Sequence, residues 1–253
     1  MPAFIVFFLI LVLIPQDYLF AEESLLRIAN IQNSLRDKPL GERIAYWAES
    51  FIGKPYDTDP LGEYVRKEVI VADERMDCMY HTFRSVELAL STSPEGAIKE
   101  ALRLRFFTKG IFKDGKVINY EDRYQYGEDM IDSGKWGNEI TSDLGKVIEI
   151  KGSRGKEKVS ILLKEKATKS DTLKKFKDGD IIFFIKDPDK RVVGEIVGHI
   201  GIVKLEDSIP YLIHASGAKD GKNKRSDAGT VRKVRFPDYL KDMRFAGIRV
   251  VRF

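Results

Sequence analysis

The chain contains one cysteine, Cys78, and three histidines, His81, His199 and His214. A thiol and an imidazole are the two side chains that nucleophilic cleavage of an amide requires. The thiolate attacks the carbonyl, and the imidazole takes the thiol proton and later gives one to the leaving amine. An imidazole can do both because its ordinary pKa lies near about 6.5. Cys78 follows Asp77, a favoured N-cap type, and Met79, Phe83, Val86 and Leu90 then recur at helical spacing. Thr82, Ser85 and Ala89 lie with Cys78 on the neighbouring face and are all small. This spacing predicts a helix with Cys78 in its first turn. The N–H groups and the positive dipole end of a helix stabilise a thiolate there, and also the oxyanion formed when it attacks.

His199 lies in Val197-Gly198-His199-Ile200-Gly201-Ile202-Val203, a strand pattern. Alternation places Val197, His199, Gly201 and Val203 on one face. Glycines weaken a strand, but they are tolerated where a backbone or a substrate must come close. His214 lies in Leu212-Ile213-His214-Ala215-Ser216, near the end of the next strand. An antiparallel neighbour at that distance brings His214 beside His199. In that arrangement His199 is the base and His214 holds its ring by the other nitrogen.

The same residues carry other readings. Cys78 and His81 at i, i+3, together with two strand histidines, supply four ligands for tetrahedral zinc, although the spacing matches no common zinc motif. A cysteine among apolar residues also serves as a core residue, and a strand histidine as a structural one. His81, on a nearby helix face, reads as a partly exposed residue. A third reading is a non-catalytic binding protein of the same fold.

The elements that must position these groups follow from the pattern. Helices are expected over Ser24 to Leu35, Gly41 to Ile52, the Cys78 segment, and Pro94 to Arg105. Tyr64 to Val71 reads as a strand, and Asp114-Gly115 as a hairpin turn. Residues 121–137 are helical or loop-like, and two alternating strands flank residues 152–155. From Gly179 onward strands dominate: Ile181 to Ile185, Ile196 to Leu205, a short Tyr211 to His214, Val231 to Phe236 and Ile248 to Phe253, with a short helix after Pro237. Ser216 to Gly229 reads as a mobile loop. Helices lead and strands trail, which gives an α+β class with a helical layer carrying Cys78 against an antiparallel sheet.

At 253 residues, 43% apolar and 32% charged, the chain can bury a sizeable core. The net charge of +4 is mixed along the sequence, with no basic stripe interleaved with aromatics, so nucleic acid is not an expected partner. A mildly basic surface suits an anionic cell-wall polymer. Phe4 to Ile14 is an almost unbroken apolar run, shorter than the about 20 residues a membrane span needs. Residues 1–21 read as a secretory signal with a cut after Ala21, or as an uncleaved anchor that gives the only membrane contact. The n-region lacks Lys and Arg, and Leu19 stands where a small residue is usual. Residues 22–253 are expected to form one exported domain, in the periplasm or cell envelope. There a lone cysteine has no internal disulfide partner.

Seven motifs stand in order along the chain: Phe51-Ile52-Gly53-Lys54-Pro55-Tyr56, Pro60-Leu61-Gly62-Glu63, Asp77-Cys78, Lys177 to Phe183, Gly198 to Val203, Ile213-His214-Ala215-Ser216, and Ala246 to Val250. On these, from about Leu40 to Phe253, the chain resembles the NlpC/P60 superfamily of papain-like cysteine hydrolases. Within it the chain looks most like the N-acetylmuramoyl-L-alanine amidase-like family, formerly DUF1460. The resemblance implies a papain-like core and a Cys78–His199–His214 triad with no metal or other cofactor. Asp77 and Tyr56 would be substrate-binding residues; a helix cap and a packed aromatic are their structural alternatives. Peptidoglycan or its muropeptides would be the substrate. The bond from N-acetylmuramic acid to L-alanine is favoured, with a stem-peptide link from D-glutamate to a diamino acid as the alternative. Two departures stand out. Met79-Tyr80-His81 precede Thr82 where a Thr-rich run is usual, and Arg123-Tyr124-Gln125-Tyr126 lacks the family's histidine.

Overall fold

A computed structural model describes residues 16–219 and 225–253. The helices are α1 (Gln16–Ser34), α2 (Leu40–Ser50), α3 (Glu63–Arg66), α4 (Cys78–Leu90), α5 (Pro94–Leu104), α6 (Gly127–Asp132), α7 (Thr141–Leu144), α8 (Lys164–Ala167), α9 (Ser170–Leu173) and α10 (Phe236–Asp242). The strands are β1 (Phe112–Lys113), β2 (Lys116–Val117), β3 (Asn138–Glu139), β4 (Ile148–Lys151), β5 (Lys158–Leu163), β6 (Ile181–Lys186), β7 (Val197–Glu206), β8 (Ile209–Lys219), β9 (Arg225–Arg235) and β10 (Phe245–Arg252). β1 and β2 form the Asp114-Gly115 hairpin, with both turn residues at positive φ. The other strands form one antiparallel sheet in the order β4-β5-β10-β6-β7-β8-β9, with β3 also on β10. The α+β class expected from the sequence is the class observed.

The sheet is buried on both faces, whereas the sequence suggested a single helical layer. Ile181, Phe183 and Ile185 join Ile200, Ile202, Ile213 and Val231 on one face, packed with Ile44 and Ala48 of α2 and Phe83 and Val86 of α4. Ile182, Phe184, Val203, Leu212, Ile248 and Val250 face the other way, onto Phe176, Phe236 and Leu240. The unbroken apolar run of β6 follows from this, because a strand covered on both sides has no solvated face.

Two expected elements differ. Tyr64 to Val71 is not a strand. The buried Asp57 carboxylate accepts from the backbone of Asp59 at 2.9 Å and of Glu63 at 2.7 Å, and this starts the single turn of α3. Tyr64 then stacks on Tyr80 with ring centroids 4.8 Å apart. Residues 216–229 are not a loop throughout. β8 and β9 pair as far as Ser216↔Thr230, Ala218↔Ser226 and Lys219↔Arg225, held by backbone bonds that an apolar pattern does not report. The expected leader lies outside the described residues as far as residue 15, and the expected cut after Ala21 falls within α1. Among the described residues no helix is long and apolar enough to cross a membrane.

Candidate functional site

The start of α4 is tied to the sheet edge by main chain. The segment 53–56 lies along β9. The N–H of Gly53 donates to Val231 O at 2.9 Å, Val231 N–H to Lys54 O at 2.9 Å, and Tyr56 N–H to Gly229 O at 2.7 Å. This segment in turn holds the residues just before Cys78. Met76 N–H donates to Pro55 O at 2.9 Å and Asp57 N–H to Met76 O at 3.1 Å. Asp77 is the N-cap of α4, as its type predicted, and its Oδ1 accepts from Tyr80 N–H at 2.6 Å. Cys78 is therefore the first residue of α4, half-buried, at the positive end of a 13-residue helix.

Buried polar groups fix the body of that helix. Arg84 lies between Asp73 and Glu87, and Arg105 forms a fork onto Glu87 at 2.6 and 2.7 Å. Arg105 also donates to Ile70 O and lies over the rings of Tyr80 and Phe83. The Tyr80 hydroxyl bonds Asp73 at 2.9 Å and accepts from Ala72 N–H at 2.6 Å. This network secures residues 70–73, which lead into Asp77 and Cys78.

His199 and His214 are in direct contact. His199 Nε2 and His214 Nδ1 are 2.7 Å apart with the rings edge-on at 86°. A bulge in β7 sets this up: Phe184 opposes His199, yet Ile185 opposes Val197, so Gly198 is the extra residue. Simple alternation put Val197 on the face of His199. The bulge reverses that, and Val197 packs with Ile200 and Ile202 instead. Glycine is required twice. A Cβ on Gly198 would lie 2.8 Å from Lys186 Cγ. A Cβ on Gly201 would lie 2.6 Å from Leu212 Cδ1 and 3.2 Å from His214 Cβ. His214 is fully buried, and burial, with repulsion from His199, Arg232 and His81, drives its pKa down to about 2. It is therefore a neutral ring.

Cys78 and His199 line one cleft of about 380 Å³ with Met79, Gln125, Tyr126 and Lys186. The expected site residues thus divide. Cys78, His199 and His214 come together, and Asp77 caps their helix. Tyr56 is buried, with its ring against Gly217 of β8 and its backbone on β9. His81 differs from its expectation as a partly exposed residue: it is fully buried, and its Nε2 lies 3.1 Å from Ala48 O. At the end of α2 Ala48 O accepts from Phe51 N–H at 3.4 Å, and this ring supplies it a second donor. Burial pushes its pKa down to about 4. With His81 so committed, the four-ligand zinc set does not converge. Among the described residues no three His, Cys, Asp or Glu side chains gather to hold a metal.

Sequence reasoning missed three contributors. Glu128 of α6 is buried and accepts from Ile196 and Val197 N–H at 3.1 Å each, pinning the strand just before the bulge. Tyr239 of α10 lies with its ring 4.7 Å from His214 and 6.1 Å from His199. Arg232 stands opposite His214 on β9. None sits in a motif, and their places depend on how remote segments meet. The Arg123-Tyr124-Gln125-Tyr126 stretch did carry a signal, since Gln125 and Tyr126 line the cleft.

A thiol at a helix start, beside a strand imidazole bonded to a second, neutral imidazole, has the parts of a thiol–imidazole nucleophilic centre. Its frame is an α+β fold with known counterparts. The chain is similar to an N-acetylmuramoyl-L-alanine amidase from Bacteroides uniformis ATCC 8492, at 23% identity over 84% of this chain and 98% of that one, with a TM-score of 0.62. It is similar to a Legionella pneumophila str. Philadelphia 1 protein described by the family model DUF1460, at 16% identity over 93% and 96%, with a TM-score of 0.68. It is also similar to a Bacteroides fragilis protein described as a candidate xylanase, at 20% identity over 83% and 100%, with a TM-score of 0.60. No family model matches the sequence, and no curated protein is similar to it. At these identities the likeness is one of fold.

Proposed function

We propose that this protein is a cysteine-dependent amidase of peptidoglycan or its muropeptide fragments, with Cys78 as nucleophile, His199 as base and His214 as the residue that orients the base. The observation that carries this reading is the 2.7 Å contact between His199 Nε2 and His214 Nδ1. It supports Nε2 as the nitrogen of the orienting bond, with Nδ1 as the one that exchanges a proton with the thiol, in a cleft that Cys78 and His199 both line. His214, being neutral, accepts from the imidazolium that forms on His199 without competing for its charge. The Cys78 proton passes to His199 Nδ1, and the thiolate attacks the amide carbonyl. The N–H groups at the start of α4 are donors for the oxyanion. His199 then protonates the leaving amine, and water, activated by the same ring, releases the acyl group from sulfur.

The amidase and DUF1460 neighbours support the substrate class, as do the motifs that resemble the NlpC/P60 superfamily with its papain-like core. The xylanase neighbour does not alter this reading. Retaining and inverting glycosidases use two carboxyl groups across the cleft. Here Glu195 is the one carboxylate among the described lining residues, and it is paired with Lys186. The favoured bond is that from N-acetylmuramic acid to L-alanine; the triad would equally serve a stem-peptide link. The apolar run over Phe4 to Ile14 supports export as part of this reading.

Incubating purified protein with muropeptides, beside a Cys78→Ala control, tests it by mass spectrometry. Cleavage that vanishes in the variant is expected, and the product masses name the bond. Cleavage that persists in Cys78→Ala, or a folded wild-type protein that cleaves nothing, overturns the proposal.

A further inference from the structure

Gln125, Tyr126 and Lys186 line the cleft, and beside the histidine pair stands a cation that the mechanism above does not use. Arg232 is the register partner of His214 across β8 and β9. Direct partners leave the same sheet face with Cβ atoms about 5 Å apart. Arg232 is exposed, and among the described residues it forms no ion pair. Tyr239 is its neighbour on this side, with its ring against both histidines. Its hydroxyl makes no hydrogen bond among the described residues. That hydroxyl is within electrostatic reach of both Cys78 and Arg232, and burial with the Cys78 charge raises its pKa well above the ordinary value. At neutral pH it is therefore an O–H donor.

A guanidinium and a phenol beside a catalytic centre offer a row of donors. The guanidinium fork matches a carboxylate, which accepts through both oxygens. We propose that Arg232 and Tyr239 form a carboxylate subsite beside Cys78 and His199, so that the preferred substrate carries a free carboxylate flanking the amide that is cut. This rests on the amidase reading above and narrows its substrate class. In a muropeptide the matching group is the α-carboxylate of the γ-linked D-glutamate, and the poor substrate is the same compound with that group amidated.

The test compares N-acetylmuramoyl-L-alanyl-γ-D-glutamyl-L-lysine, which contains both candidate amide bonds, with its isoglutaminyl analogue, in which only the glutamate α-carboxylate is amidated. One charge-assisted hydrogen bond contributes about 1.5–3 kcal/mol, so the acid is expected to exceed the amide in kcat/KM by roughly tenfold or more. In Arg232→Gln that ratio falls to near one, and Arg232→Lys, which keeps the charge but loses the fork, lies between. Calorimetric binding of both compounds to Cys78→Ala gives a readout that needs no turnover. Tighter binding of the acid, lost on adding Arg232→Gln, supports the subsite even if the wild type cleaves neither compound, an outcome that would sink the amidase reading alone. Equal binding of acid and amide to Cys78→Ala overturns the subsite. So does an Arg232→Gln effect of the same size on both compounds, which would make Arg232 only an electrostatic neighbour of His214.

Discussion

Once His199 is charged, both its nitrogens carry protons, so His214 Nδ1 must accept and its own proton must sit on Nε2. That Nε2 is buried and has no hydrogen-bond partner among the described residues. An orphaned polar group of this kind costs about 1–3 kcal/mol, which points to function rather than stability as the reason for a histidine here. His214→Ala is expected to lower kcat/KM by on the order of 10²–10⁴-fold without unfolding the protein, while His214→Asn keeps an acceptor and more of the rate. Steady-state kinetics on muropeptides measure both. His81 behaves in the opposite way. Its pKa is about 4 when folded against an ordinary 6.5, so its neutral form stabilises the fold above pH 6.5. That contribution is lost as pH falls from 6.5 toward 4, by up to about 3 kcal/mol. His81→Gln keeps a donor for Ala48 O and is expected to lose less stability over that pH window than the wild type. Urea unfolding at a series of pH values gives the answer, and parallel curves would refute the assignment.

At the scale of elements, the proposed nucleophile depends on how α4 begins. Asn caps a helix about as well as Asp, whereas Ala costs about 0.5–2 kcal/mol. Asp77→Asn should therefore match the wild type in thermal unfolding while Asp77→Ala falls below it. If Asp77→Asn also loses activity, the carboxylate contacts substrate as well as capping the helix. The proposed base depends on glycines in β7. Gly201→Ala places a methyl against Leu212 and His214, and overpacking of this kind costs about 1–3 kcal/mol. Leu212 can turn aside, but a shift of His214 Cβ carries its ring away from His199. The expected result is a larger fractional loss of kcat than of stability, read from kinetics and urea midpoints on the same preparation.

Across the whole molecule, a sheet covered on both faces supports a rigid α4 on one side and the Phe236–Tyr239 stretch of α10 on the other. The ion network through Glu87 anchors the first of these. Glu87→Gln leaves Arg105 and Arg84 buried with too little negative charge, and breaking a buried pair costs about 3–5 kcal/mol. A thermal midpoint close to the wild type would refute that account. Much of this was legible in the chain. Helical spacing after Asp77 located the N-cap and put Cys78 at the helix start, because capping and amphipathic period are local properties. An unbroken apolar run located β6, and strand patterning located β7 and β10 and the histidines on neighbouring strands. What it did not contain was long-range. The bulge at Gly198 depends on the match between β6 and β7. The length of β8 and β9 depends on backbone pairing. His81 reads as a surface residue until the last turn of α2 is placed over it. Arg232 and Tyr239 join the histidines only after the register of β9 and the docking of α10 are set. Sequence by itself determined that a thiol stands at a helix start and imidazoles stand on neighbouring strands, since types and short spacings are written in it. Only the tertiary structure decided their partners, since a hydrogen bond between residues on separate strands exists only once register and packing are fixed.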